Sequence, residues 1–285
     1  MTRGGALAVP APAKLNLFLH VVGRRADGYH ELESLFTLID WADRITVAPR
    51  DDAAIVRARP IPGVGDDDDL ALRAARALAQ AAGVRRGVTI DVEKSVPMGA
   101  GLGGGSSDAA SVLLALNRLW ATDLPRDALI AIGVRLGADV PFFLGGEPAM
   151  ARGIGERLAP VSLPVTWFAI AVPPAHVATA EIFAASNLTR STPSAKMDVF
   201  SEGYGRNDLE SVASAKFPDV ARAIAVFKRV SPSARMTGSG GGVFAAFASE
   251  AEAKAALRSM PATFVTRVAR SLPRHPLAAF ARDGG

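Results

Sequence analysis

A glycine-rich segment holds the densest group of residues suited to chemistry. VPMGAGLGGGSSDAA, residues 96–110, carries five glycines and two serines between a strand-like pattern and a helical one. Glycines without a Cβ let successive backbone amides point at an anion, and the following helix adds its positive end. We therefore predict a cradle for nucleotide phosphates. Its residues are Pro97, Gly99, Ala100, Gly101, Leu102, Gly103, Gly104, Gly105, Ser106 and Ser107.

Other interpretations of this segment fit less well. Gly99, Gly101 and Gly104 match the dinucleotide pattern G-x-G-x-x-G, but no acid closes a second strand about 20 residues later. No lysine follows the glycines as a Walker A loop requires, and a flexible linker does not normally join a strand directly to a strong helix. Ser106 and Ser107 could cap that helix, bind phosphate or ligate Mg²⁺. The residues alone indicate a nucleotide polyphosphate and leave the reaction open.

Two charged residues lie in apolar surroundings far from the glycines. Lys14 begins the apolar run 15–23, where an ammonium without a partner is unfavourable unless the strand edge is solvated. Asn16 lies on the same face of that strand, two residues on. Asp139 precedes the Pro-Phe-Phe sequence at 141–143 and is either partly desolvated for use in chemistry or a helix cap.

Composition excludes several function classes. The 285 residues include no cysteine, so thiolate chemistry is excluded. The four histidines are too scattered in sequence to indicate a histidine metal centre, and any metal is expected to arrive with a substrate. The net charge of +4 is spread through the chain and aromatic residues make up 6%, which favours an anionic small molecule over nucleic acid. No apolar run has the length of a signal peptide or membrane span, so we expect a cytoplasmic protein without membrane partners.

Both halves of the chain mix strand and helix patterns, which predicts an α+β fold. We expect strands in 15–23, 34–49, 87–97, 165–174 and 264–272, and a strand–turn–strand in 234–249. We expect helices ending at Gly83, in 106–120, after Pro125, starting in 179–186, in 207–230 and in 249–260. Residues 138–161 predict a loop followed by a hairpin, and residues 187–206 predict a surface loop.

Four segments together resemble the GHMP kinases. These are residues 11–36 (APAKLNLFLHVVGRRADGYHELESLF), the glycine segment, 136–158 (LGADVPFFLGGEPAMARGIGERL) and 236–247 (MTGSGGGVFAAF). They follow the order of the family's motifs over nearly the whole chain. The combination AK-x-N-L with GYHEL is similar to one branch, whose substrate is a cytidine-diphosphate derivative of methylerythritol.

The resemblance implies two lobes, an ATP-binding N-terminal lobe at 1–160 and a ferredoxin-like C-terminal lobe at 161–285. Substrates would lie in the cleft between the lobes. The implied reaction moves the γ-phosphate of ATP, with Mg²⁺, to a tertiary hydroxyl of the methylerythritol unit in non-mevalonate isoprenoid precursor synthesis. The implied partners are these small molecules; the oligomeric state is not predicted.

The resemblance also assigns roles to individual residues. Asp139 would be the base, and Lys14 would pair with it and orient the hydroxyl. The expected substrate contacts are Asn16, Tyr29, His30, Thr179, Phe183, Gly238, Ser239 and Gly240, with cytosine between the rings of Tyr29 and Phe183 and hydrogen-bonded by His30.

Several of these expected substrate contacts could instead have purely structural roles, and the function itself has alternatives. Tyr29 and His30 could be surface-turn residues, Phe183 a core residue, and Gly238–Gly240 a tight turn. Asn207 is assigned only a helix cap. Two other functions stay open: a GHMP kinase acting on mevalonate, homoserine or a sugar, and a catalytically silent protein that binds nucleotide or RNA.

Overall fold

A long antiparallel hairpin organises the N-terminal half. The computed structural model describes residues 5–175, 177–194 and 204–283. Strands β1 (Leu7–Arg24) and β2 (His30–Pro49) pair along their whole length. β1 begins eight residues before the predicted apolar run, so Lys14 lies inside the strand and is buried there. A solvated strand edge at Lys14 is therefore wrong.

The other strands of this lobe extend the sheet from β2, two by pairing with it directly and two by pairing with those strands. The helices share one apolar cluster with the sheet. The strands are β3 (Ile55–Arg57), β4 (Val88–Glu93), β5 (Ala149–Gly153) and β6 (Arg157–Pro160). The helices are α1 (Leu70–Ala82), α2 (Gly104–Leu119), α3 (Arg126–Val134) and α4 (Val140–Gly145). Helix α2 is buried along most of its length in the largest apolar cluster, which makes its N-terminus a rigid platform.

The C-terminal half forms a second antiparallel sheet. Its elements are β7 (Trp167–Val172), α5 (Thr179–Ala184), α6 (Glu210–Lys216), α7 (Pro218–Lys228), β8 (Arg235–Met236), β9 (Val243–Phe247), α8 (Glu250–Leu257) and β10 (Val265–Leu272). The spatial order is β10-β7-β9-β8, which is the 4-1-3-2 order of a ferredoxin-like βαββαβ unit. The predicted α+β class and ferredoxin-like lobe are confirmed.

The two sheets join beside the glycine segment. Ser271 and Leu272 of β10 pair with Ile39 and Leu38 of β2, and a shared apolar cluster contains residues from both sheets together with Ala100 and Leu102. The last residues return to the N-terminal half, where Arg126 forms an ion pair with Asp283. The division at residue 160 stays a prediction.

Local capping chemistry explains several element boundaries. Asp69 accepts from the amides of Ala71 and Leu72 at the start of α1, and Gly83 ends that helix in the left-handed conformation. Ser249 and Glu252 form the predicted capping box of α8. Pro218 separates α6 from α7.

Two loop predictions have different outcomes. The prediction of a loop at the start of 138–161 is wrong, because Pro141 tolerates the first turn of a helix and the apolar residues behind it form α4, before the predicted hairpin β5–β6. Residues 195–203 of the predicted loop 187–206 lie outside the described part of the chain.

Candidate active site

A buried lysine on β1 and an aspartate before α4 meet across the site. The Lys14 side chain is 5% exposed, and its Nζ lies 3.5 Å from Oδ2 of Asp139. The same Nζ donates to Oδ1 of Asn16 at 2.5 Å and lies 4.5 Å from the ring centre of Phe36. Among the described residues, Asp139 is the one carboxylate in ion-pair contact with this ammonium.

Asp139 occupies the N-cap position of α4 without capping the helix. Its side chain makes no hydrogen bond to the first turn and is 31% exposed. The alternative of a helix-capping carboxylate is therefore wrong. The carboxylate is directed to Lys14 and remains accessible to a ligand.

Asn16 is held by three partners inside the protein. Its amide nitrogen Nδ2 donates to Ser34 Oγ at 2.9 Å, and its backbone N–H donates to Thr237 Oγ1 at 2.9 Å. Since Oδ1 accepts from Lys14 and Nδ2 donates to Ser34, the side chain joins the lysine to β2, while the backbone N–H joins β1 to Thr237 in the third glycine motif. The geometry makes Asn16 a support for Lys14; the predicted substrate contact stays a prediction.

The glycine segment has the backbone that an anion cradle needs. Gly99, Gly101 and Gly103 have φ values of 72°, 77° and 70°, a region that side chains disfavour. Gly103 is the N-cap of α2, so the segment ends at the positive end of a 16-residue helix. Lys14 is attached to this segment because its backbone N–H donates to the Leu102 carbonyl at 2.9 Å.

The third glycine motif packs directly against the first. A Cβ on Gly101 would collide with the Thr237 carbonyl, and one on Gly240 would collide with the Gly101 amide. Gly242 N–H donates to the Ala100 carbonyl at 3.1 Å. Gly238 and Gly240 thus permit this close approach in addition to forming a turn.

The two serines of the cradle have different environments. Ser107 is fully buried and its hydroxyl donates to the Pro12 carbonyl at 2.6 Å, which fixes α2 to β1. Ser106 is half-buried on the side of Gly137. Neither serine is the N-cap, since Gly103 has that position, so the capping interpretation is wrong.

A cavity of about 590 Å³ lies beside Ala138, the neighbour of Asp139. The predicted residues Tyr29, His30, Thr179 and Phe183 all line it. Tyr29 is 62% exposed, whereas the ring of Phe183 packs on the C-terminal core and lies 5.1 Å from the ring of His30. Burial, then the charges of Arg190 and Arg24, lowers the pKa of His30.

A hydroxyl contact links the wall of the cavity to the third glycine motif. The hydroxyls of Thr179 and Ser239 are 2.7 Å apart. The predicted residues therefore fall into three neighbouring groups: the Lys14–Asp139 pair, the interlocked glycine motifs and the cavity, with Ser107 and Asn16 buried.

Sequence reasoning missed three groups at this site. Lys94 forms ion pairs with Asp43 and Asp108 beside the glycine segment. The Thr237 hydroxyl accepts a hydrogen bond from the backbone N–H of Asn16, and Arg190 donates one to His30. Lys94 and Asp108 directly flank the glycines, a position that could have drawn attention to them. Thr237 and Arg190 have no such signal, because their partners are 221 and 160 residues away.

Asn207 does more than the predicted capping. Its Oδ1 accepts from the Leu209 N–H at 3.0 Å just before α6, although Leu209 itself is the N-cap, and its Nδ2 donates to the carbonyls of Met236 and Gly238 at 2.9 and 2.8 Å. The side chain supports the third glycine motif from below. Its role is therefore to shape the cleft.

The described part of the chain offers little to a metal ion on its own. Within residues 5–175, 177–194 and 204–283, no three histidine or carboxylate side chains group together as metal ligands. Nor is any helix of these residues both long and apolar enough to cross a bilayer.

Comparison with known proteins defines the class. Residues 69–147 match the GHMP kinases N terminal domain, and residues 187–266 match the GHMP kinases C terminal domain. A homoserine kinase from Cytophaga hutchinsonii, 15% identical, superposes with a TM-score of 0.72 over 96% of this chain and 97% of its own, which shows the shared fold.

The chain belongs to the GHMP kinase family, and within it to the 4-diphosphocytidyl-2-C-methyl-D-erythritol kinases. The enzyme of that name from Thiobacillus denitrificans is 55% identical over 273 residues, 96% of this chain and 98% of the relative. That of Cupriavidus metallidurans is 53% identical over 277 residues, 95% of each chain. A crystal structure of 4-(cytidine 5'-diphospho)-2C-methyl-D-erythritol kinase, 36% identical, has a TM-score of 0.84 and covers 93% of this chain and 99% of its own. The predicted family is confirmed.

Proposed function

We propose that this enzyme transfers the γ-phosphate of ATP to the 2-hydroxyl of 4-diphosphocytidyl-2-C-methyl-D-erythritol, in the non-mevalonate route to isoprenoid precursors. One observation carries the proposal. The Lys14–Asp139 pair lies between an anion cradle on one side and an aromatic cavity on the other. Phosphoryl transfer needs this arrangement, in which a hydroxyl is held between a proton acceptor and the terminal phosphate.

Asp139 is the proton acceptor in this mechanism. The substrate hydroxyl gives its proton to the carboxylate as its oxygen forms a bond to the γ-phosphorus, and the bond from that phosphorus to the β,γ-bridging oxygen breaks, releasing ADP. Lys14 holds the carboxylate in place and sets a positive charge beside the transferring group. Asn16 holds Lys14.

The glycine segment binds the triphosphate. Backbone amides of residues 99–105 and the N-terminus of α2 face the phosphates, which supplies donors without moving a side chain. Mg²⁺ would suit this site as a companion of the nucleotide, and Ser106 and Asp139 are the residues that would offer it oxygen ligands beside the phosphates. When bound, it neutralises charge on the β- and γ-phosphates.

The cavity binds the cytidine end of the substrate. Tyr29 and Phe183 supply ring faces for cytosine, His30 supplies a hydrogen bond, and Thr179 with Ser239 lies toward the diphosphate. Gly238 and Gly240 would bring the backbone of the third motif close to the same ligand. These partners are small molecules, without nucleic acid, and a cytoplasmic location follows from where ATP and such nucleotides are found.

A substrate panel tests the proposal. ADP release with Mg-ATP is measured for the cytidyl compound, mevalonate, homoserine and galactose. We expect turnover of the cytidyl compound alone; turnover of mevalonate without it would contradict the assignment. Tyr29→Ala should raise KM for the cytidyl compound about tenfold through loss of stacking, whereas Tyr29→Phe, which keeps the ring, should leave KM near the wild-type value.

A further inference from the structure

Arg190 connects two walls of the cytidine cavity. Its Nε donates to Nε2 of His30 at 3.1 Å, and its Nη2 donates to the carbonyls of Phe183 and Ala185 at 3.2 and 2.7 Å. Its Nη1 donates to the Leu188 carbonyl at 3.2 Å. One planar guanidinium thus joins the start of β2 to the end of α5.

These bonds satisfy the end of a very short helix. Helix α5 has six residues, so its last carbonyls have no intrahelical donors and the helix has little stability of its own. Arg190 supplies donors and a positive charge at that C-terminus. The position of Phe183, which forms a wall of the cavity, therefore depends on Arg190.

The same guanidinium determines where His30 carries its hydrogen. An arginine side chain has donors only, so the histidine nitrogen facing it must be an acceptor. An accepting Nε2 means a neutral ring with its hydrogen on Nδ1. Among the described residues Nδ1 of His30 has no hydrogen-bond partner, which leaves that N–H for a ligand.

We propose that Arg190 is a positioning residue for the cytidyl substrate: it holds His30 neutral with Nδ1–H as a donor and holds Phe183 in place. The inference rests on the proposed function for the identity of the ligand. A donor at Nδ1 is complementary to cytosine, whose O2 and N3 are acceptors. Arg190 itself contacts neither substrate nor the reacting atoms.

The charges around His30 agree with a neutral ring. Burial comes first among the causes that lower its pKa, followed by the positive charges of Arg190 and Arg24. Asp27 and Tyr29 in the β1–β2 turn line the same cavity. Arg24 lowers the pKa of His30 by its charge but donates no hydrogen bond to it. A variant of Arg24 therefore separates the effect of a lost charge from that of a lost hydrogen bond.

The first experiment requires no substrate. Nitrogen-15 NMR of the four histidines, with His30 assigned by His30→Gln, reports which ring nitrogen carries the hydrogen. We expect the Nδ1–H form in the wild type and in Arg24→Gln, a mixture of both forms in Arg190→Gln, and a higher His30 pKa in both arginine variants. A wild-type signal from Nε2–H, or an unchanged tautomer in Arg190→Gln, would overturn the inference.

The second experiment measures steady-state kinetics on the full enzyme. Arg190→Gln should raise KM for the cytidyl compound about tenfold, with kcat and the KM for ATP near wild-type values. Any change of KM that follows the titration of His30 should move to higher pH in Arg190→Gln, because the loss of the Arg190 charge raises the pKa of His30. Arg190→Lys should recover part of the affinity, and Arg24→Gln should retain nearly all of it.

The two experiments separate this inference from the function. If the wild type does not turn over the cytidyl compound but His30 shows the Arg190-dependent Nδ1–H form, the proposed function fails and the positioning by Arg190 stands. If turnover is normal and KM is unchanged in Arg190→Gln, the inference fails alone. A general loss of folding in Arg190→Gln, seen by circular dichroism, transfers the kinetic test to Arg190→Lys, for which an unchanged KM counts against the inference.

Discussion

Two lysines lie against consecutive glycines at the start of α2, and their surroundings differ. A Cβ on Gly103 would lie 3.0 Å from Lys14 Cγ, and one on Gly104 would lie 3.4 Å from Lys94 Nζ. Lys14 has a single carboxylate at 3.5 Å, whereas Lys94 has two buried ones, Asp43 at 2.5 Å and Asp108 at 2.7 Å.

The surplus of carboxylates around Lys94 makes it part of the scaffold. Asp43 also accepts from the amides of Ser95 and Val96, which fixes the chain entering the glycine segment. Burial opposes the charge on Lys94, but Asp108 and Asp43 together raise its pKa. The deficit of negative charge around Lys14 leaves that ammonium able to act on a phosphoryl group. The difference shows how one helix start can have a structural cation on one side and a catalytic one on the other.

Lys14→Met tests the catalytic role of the first lysine and has the largest expected effect of the variants at these two lysines and Asp108. We expect kcat to fall about 10³-fold, because a positive charge beside the transferring phosphoryl group is lost. The free energy of unfolding should change little or increase, since methionine fills similar space without a poorly compensated charge. Stopped assays of ADP release and urea unfolding give the two quantities. A stable variant with wild-type kcat would refute the catalytic role.

Lys94→Met, the matched variant, should have the opposite profile. It leaves Asp43 and Asp108 buried without a cation, so the free energy of unfolding should fall by about 3 kcal/mol. In the fraction that remains folded, KM for ATP should rise more than kcat falls, because the entrance to the cradle loosens. Wild-type stability in urea would show that the cluster is not structural.

Asp108→Asn tests the structural role of the carboxylates around Lys94 and has the smallest expected effect. Burial raises the pKa of Asp108 to about 7; Lys94 opposes this shift and Asp43 adds to it. The folded protein therefore binds a proton here that the unfolded chain releases near pH 4, and its stability contribution is present below pH 4 and lost as pH rises toward 7. Asparagine removes this pH dependence. Urea unfolding from pH 5 to 8 should give a flatter curve for the variant; curves of equal slope would contradict the shift.

Local signals predicted much of the fold. The alternation of β4, the capping box at Ser249 and the break at Pro218 each depend on neighbouring residues, so a single sequence suffices. Helix α4 was missed because a six-residue apolar helix is too short to show a helical period, so its sequence does not differ from that of an apolar loop. The exact start of β1 was missed because Pro10 and Pro12 obscure its strand pattern.

The candidate site was predictable only where a motif carried it. Lys14 and Asp139 were found through their matching segments, since no spacing rule places residues 125 positions apart in contact. The interlocking of Gly101 with Gly240 and the contact of Arg190 with His30 are products of the folded topology. Nothing local in the sequence indicates either pair.

Asp139→Asn provides the most direct test of the account. The substitution keeps the size of the side chain and removes its capacity to take a proton. In single-turnover experiments with saturating Mg-ATP and cytidyl substrate, we predict a rate of phosphate transfer lower by about 10² to 10⁴, with ATP binding unchanged in a protein that stays folded. Transfer at the wild-type rate by a folded Asp139→Asn enzyme would contradict the assignment of Asp139 as the proton acceptor.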